Sequence, residues 1–186
     1  MVTKSPKVGW RRIIAGAIAV VALLAALWSI PFPGSKVNIT AEAYCSSADT
    51  QEPSQYIVEL KGEQYHRLFR RPQFTGTFTL KNGDGSTVLV DHAKLENAFA
   101  DTVQQSDVTV TQISSLMYNS SENAFTSFTA ALSADRQSIV IILGSKGETG
   151  GIAGTYIAPA TDQKTAQSVY QSINAVVDLS LIATAP

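Results

Sequence analysis

The sequence predicts an α+β chain: an N-terminal transmembrane helix, then a mostly antiparallel β-sheet or sandwich domain with a C-terminal packing helix. Three observations carry that expectation. Residues 13–30 form an apolar run without a charge, several later segments alternate apolar and polar, and Ala166, Val169, Tyr170, Ile173, Val176 and Val177 recur at helical spacing.

The apolar run, Ile13 to Ile30, has 18 residues. At about 1.5 Å each they cover roughly 27 Å, close to the ~30 Å thickness of a bilayer's hydrocarbon core. A secretory leader has a shorter apolar region and a small-x-small cleavage site, whereas this run ends in Ala26-Leu27-Trp28-Ser29-Ile30-Pro31. Trp10 and Trp28 sit where interfacial aromatics belong. The run therefore reads as an uncleaved signal anchor. Lys4, Lys7, Arg11 and Arg12 precede it and all 15 acidic residues follow it, so the positive-inside rule puts the N-terminus in the cytoplasm. The expected organisation is a cytoplasmic stub at 1–12, a transmembrane helix at 13–32 and an extracytoplasmic β-rich domain at 33–186. That makes the chain a single-pass protein of the cell membrane, with the lipid bilayer as its partner through residues 13–32.

Beyond the anchor, Val37 to Tyr44 alternates with the period of two of a half-buried strand, and Tyr56 to Leu60 is a second candidate. In Phe74 to Leu80, Phe74, Phe78 and Leu80 share one face and Thr75, Thr77 and Thr79 the other. Asn82-Gly83-Asp84-Gly85 then tolerates positive φ, and Ser86 to Val90 completes a hairpin. Val108 to Tyr118, Ala124 to Ser133 and Ser138 to Leu143 are further strands, the last two joined by a turn at Ala134 to Gln137. Lys94 to Gln105 has helical period through Leu95, Ala98, Phe99 and Val103, with a strand as the alternative and Asp91 as the helix N-cap. The final stripe predicts a helix capped by Thr161 or Asp162 after Pro159.

Composition limits the chemistry. The region after the anchor carries ten basic and fifteen acidic residues, a formal charge of −5, which argues against nucleic acid as a partner. One cysteine, Cys45, makes no internal disulfide, and two histidines, His66 and His92, lack metal-ligand spacing. Gly144 to Gly151 resembles a phosphate-binding loop only in composition: Lys146 precedes Gly147, and no helix pattern follows. It reads as a hairpin loop. No G-x-S-x-G elbow exists. No catalytic, cofactor-binding or metal residues are expected, and no cofactor. The distinctive surface stretch is Tyr65 to Pro72, which gathers His66, Arg67, Arg70 and Arg71 with aromatics in an otherwise acidic region. These four residues form a candidate interaction patch for a protein or an anionic cell-envelope partner. The alternative is a strand connection whose arginines are solvated or paired with Glu59 and Glu63.

The order YHRLFRRPQFTGTFTL, FTAALSADRQSIVIIL and TYIAPATDQKTAQSVYQSI resembles a group of uncharacterised single-pass membrane proteins of Gram-positive bacteria. These have a short cytoplasmic stub, one helix and a small β-rich extracytoplasmic domain. The resemblance implies architecture and location, and it brings no activity. The function expected is that of a membrane-anchored interaction or accessory module at the cell surface, not an enzyme. A small-ligand sensor or carrier with a pocket between sheet and helix is the alternative, with a hydrolase behind it. A filled core favours the module, and a deep polar pocket favours the other two.

Overall fold

A computed structural model describes residues 9–46, 54–67, 70–105, 107–119, 124–145 and 152–179. Its elements are α1 (Trp10–Ser29), β1 (Phe32–Ser46), β2 (Ser54–His66), β3 (Gln73–Asn82), β4 (Val88–Gln105), β5 (Val108–Asn119), β6 (Ala124–Ser133), β7 (Ile139–Ser145), β8 (Gly154–Ala158) and α2 (Gln163–Asn174). Each strand pairs antiparallel with the next, and β1 pairs with β8, so the eight strands close into one barrel. This corrects the expected sheet or sandwich. A sandwich and an up-and-down barrel share the same alternation. What separates them is the register Tyr44↔Ile157, Cys45↔Tyr156, Ser46↔Thr155 that zips the first strand to the last.

The N-terminal expectation is corrected as well. The helix α1 begins at Trp10, so Arg11 and Arg12 lie in its first turn, and the chain leaves it extended at Ile30 to enter β1 at Phe32. The last residue of the predicted span, Phe32, thus belongs to a strand. The charge-free part of the helix, Ile13 to Ser29, covers about 25 Å at ~1.5 Å per residue, short of the ~30 Å hydrocarbon core. Among the described residues no helix is long and apolar enough to cross a membrane, so the single-pass anchor and the membrane location inferred from it lose their support. That statement concerns helices alone. The large side chains of α1 stand exposed, Ile18 at 64% and Val21 at 66%. Pro33 lies within β1, where the register with β2 shifts between Pro33 and Lys36. A bulge tolerates proline because it removes no ladder hydrogen bond.

The strand interiors fill the barrel. Val37, Ile39 and Ala43 of β1, Val58 and Leu60 of β2, Phe74, Phe78 and Leu80 of β3, and Ile113 and Met117 of β5 all point inward and are buried. Phe78 and Phe128 meet in the middle with ring centroids 5.1 Å apart. Gly62 and Gly76 face each other across β2 and β3, and the ring of Phe74 lies over both.

β4 is a strand through its whole length, which settles the ambiguity at Lys94 to Gln105. Its inward residues are Val90, Ala93, Leu95, Ala98 and Ala100, at spacings of three, two, three and two. The threes come from bulges at His92 (φ 44°) and Asn97 (φ 54°), where the register against β3 slips. Two extra residues in a period-two pattern imitate a helical period. Asp91 is accordingly a strand residue and caps nothing. Phe99, assigned to the apolar helix face, points outward at 53% exposure.

Among the described residues the outer wall has one covered sector. Val140 and Ile142 of β7, Ala131 of β6, Ile157 of β8 and Val110 of β5 form a second core with Ala166, Ile173, Val177 and Leu179. Hence β7 is apolar at every position from Ile139 to Leu143: one set faces the barrel interior, the other faces α2. The helix starts where expected. Asp162 is its N-cap and accepts a hydrogen bond from Thr165 N at 2.9 Å, which satisfies one of the helix's free N–H groups. Val176 and Val177 lie beyond its last turn, where Leu179 N donates to Asn174 Oδ1 at 2.9 Å.

Candidate functional site

The strand order places His66, Arg67, Arg70 and Arg71 at the barrel end where α1 enters, because the β2–β3 connection borders the start of β1 (Phe32↔His66). His66, Arg70 and Arg71 are exposed and Arg67 is half-buried. Leu68 and Phe69 of the same stretch lie outside the described residues, as do residues 146–151 of the glycine-rich loop. Arg67 folds back over Tyr65, its Cζ 5.5 Å from the ring centroid, and the Tyr65 hydroxyl donates to Asn97 Oδ1 at 2.6 Å. The bulge at Asn97, absent from the sequence reading, thus fixes the ring on which the arginine rests. Pro31, Pro33, Glu63, Tyr65, Arg67 and Thr75 line a surface cleft of about 400 Å³ at this end.

The arginines do not have the partners offered to them by sequence. Glu59 is held by Lys81 at 2.7 Å and Lys61 at 3.1 Å, and these cations keep its carboxyl below the ordinary carboxylate range. Among the described residues no ion pair joins Arg67, Arg70 or Arg71 to an acid. Arg67 Nε and Gln73 Oε1 are buried without a hydrogen-bond partner. Gln73 sits opposite Tyr65 in the ladder, so an orphaned donor and an orphaned acceptor flank the same ring. Such atoms are costly to leave unpaired, by about 1–3 kcal/mol each.

The remaining reactive side chains are separated. Cys45 is buried inside the barrel, and desolvation pushes its thiol up to about 11 despite a hydrogen bond from Tyr156. His66 lies at the other end of the β1–β2 hairpin, about 40 Å of strand away at ~3.3 Å per residue, so the two form no nucleophilic pair. His92 Nδ1 meets Asp91 Oδ1 on the outer wall, with both side chains more than two-thirds exposed. No group of three His, Cys, Asp or Glu side chains among the described residues is placed to hold a metal ion.

A second cleft lies between helix and sheet, where the sensor or carrier alternative expects a pocket, although no site residue was assigned there. It runs between α2 and the wall formed by β1 and β8, has a volume of about 390 Å³, and takes Tyr44, Tyr170, Gln163, Gln167 and Gln171 as its sides. The signal was the glutamine spacing of i, i+4, i+8 on a helix whose apolar stripe was already evident.

Compared with models of known families, with curated proteins and with solved structures, the chain matches none.

Proposed function

We propose that the chain is a non-enzymatic interaction module: a solid barrel that offers one arginine-bearing end to an anionic partner. The observation that carries this reading is the filled interior. Phe74, Phe78, Phe128, Leu60, Leu80 and Leu95 occupy the lumen at 1% exposure or less, so recognition falls to the outer surface. There, Arg70 and Arg71 project from the β2–β3 connection and Arg67 brings a buried, unpaired N–H to the cleft beside Tyr65. A guanidinium that is half-buried and lacks a carboxylate is suited to a bidentate bond with an incoming carboxylate or phosphate. The acidic balance elsewhere on the chain would turn such a partner toward this end.

An acidic peptide labelled with fluorescein tests the reading by anisotropy. Binding at low salt that weakens as salt rises, and falls at least tenfold in Arg70→Glu/Arg71→Glu, is expected. Binding indifferent to the double reversal, or none at low salt, rules it out.

A further inference from the structure

We infer that the cleft between α2 and strands β1 and β8 is a binding site for a neutral polyhydroxylated ligand, an oligosaccharide. Its chemistry differs from that of the arginine end. Among the described residues no charged side chain lines it. Gln163, Gln167 and Gln171 present three amides along one ridge of α2, and none of the three side chains has a hydrogen-bond partner among the described residues. Each amide offers a donor pair and an acceptor, the set that neighbouring hydroxyls on a sugar ring satisfy. Among the described residues of its lining an anion would find no cation, and a cation no carboxylate.

The aromatic groups complete the arrangement. Tyr44 on the wall and Tyr170 on the helix are half-buried and flank the cleft, while Ile157 and Ala166 are buried beneath it. A sugar ring has an apolar C–H face and a polar rim, so it can lay the face on a tyrosine and turn its rim to the amides. An apolar ligand would leave the three amides without water or partner.

The walls are fixed before any ligand arrives. Ala160 N donates to Glu42 O at 3.0 Å and Gln55 Nε2 donates to Thr161 O at 3.2 Å, tying the start of α2 to β1 and β2. Ile173 and Val177 anchor the far end in the second core. A cleft of about 390 Å³ falls in the ~300–1,000 Å³ range of small-molecule sites. Its rigidity reduces the ordering cost of binding.

The experiment is a two-dimensional NMR titration of the full chain with cellotriose and, separately, maltotriose at millimolar concentration. Side-chain NH₂ resonances of Gln163, Gln167 and Gln171 should shift with at least one of them. Gln167→Leu should weaken that binding at least fivefold with an unchanged thermal midpoint, and Arg70→Glu/Arg71→Glu should leave it unaltered. The assignment is overturned by shifts with neither sugar, by shifts confined to another surface, or by Gln167→Leu binding as tightly as the parent. Loss of sugar binding in the arginine double variant would move the site to the other end and overturn it equally.

Discussion

Gly76→Ala is expected to destabilise the barrel by about 3 kcal/mol or more, at or above the upper end of typical overpacking costs. Two effects oppose each other here. Alanine restricts the unfolded chain, which by itself would stabilise by about 0.4–1 kcal/mol. Against that, a Cβ on residue 76 would sit 2.7 Å from Phe74 Cε1 and nearer still to Lys61 O, where ordinary contact begins at 3.4 Å. The ring would have to retreat by roughly 0.7 Å into an interior with no spare room, and the Lys61 carbonyl belongs to the β2 backbone. Gly62→Ala meets Thr75 O at 2.5 Å and should behave alike. Gly144→Ala is the control, since its Cβ would meet the rotatable Ser127 Oγ at 2.6 Å. Its cost should stay within about 1 kcal/mol, because one side-chain rotation relieves the contact. Urea melts followed by circular dichroism, with constant m-values, measure all three. A neutral or stabilising Gly76→Ala, or a Gly144→Ala as costly as Gly76→Ala, would show that steric closure around Phe74 does not govern this part of the barrel.

Ile173→Ala should cost about 2–5 kcal/mol in the same assay, because Ile173 is 1% exposed in the core beneath α2, while Gln171→Ala should stay within about 0.5 kcal/mol. The Cys45 thiol, buried and raised to about 11, should react with Ellman's reagent near pH 8 only as fast as the barrel opens, and Gly76→Ala should accelerate it. Glu59→Gln should lower stability near neutral pH by less than about 1 kcal/mol, since one of its two lysines is largely solvated. Its carboxyl is depressed in the folded state, so this contribution is present above the unfolded carboxylate pKa of about 4.3 and fades as pH falls through the folded value. Melts at neutral and at strongly acidic pH should therefore converge for parent and variant.

The strands on the regular period of two, such as Phe74 to Leu80, were legible because one-sided burial writes itself directly into sequence. β7 was legible too, though its unbroken apolar run hid the reason, which is a helix covering its outer face. β4 resisted for a physical cause: bulges at His92 and Asn97 insert residues that belong to neither face, and no local residue type announces them. Closure of the barrel depends on pairing between the two ends of the sheet, which no window of neighbouring residues contains. The N-terminal run misled in another way. Hydropathy measures apolarity and not conformation, so it could not register that the chain turns from helix to strand between Ile30 and Phe32. At the candidate site, the arginine cluster stood out by charge in an acidic region. The support beneath it, Tyr65 held by Asn97, did not, because the two residues lie on different strands.

The seam between β1 and β8 has a consequence for how the molecule is made. Every other hydrogen-bonded pair of strands joins neighbours in the chain, whereas the seam joins partners more than a hundred residues apart. Loop-closure entropy makes it the last pairing to form, and until then the meander carries two open edges able to recruit other chains. β8 has five residues to offer, and α2 follows it immediately, crossing to β1 and β2 through Ala160 and Thr161. The terminal helix thus acts as the latch on a ring. A chain released before residue 159 would hold all eight strands and still lack both ties and the helix that keep it shut, so that aggregation rather than unfolding would be the signature of its loss.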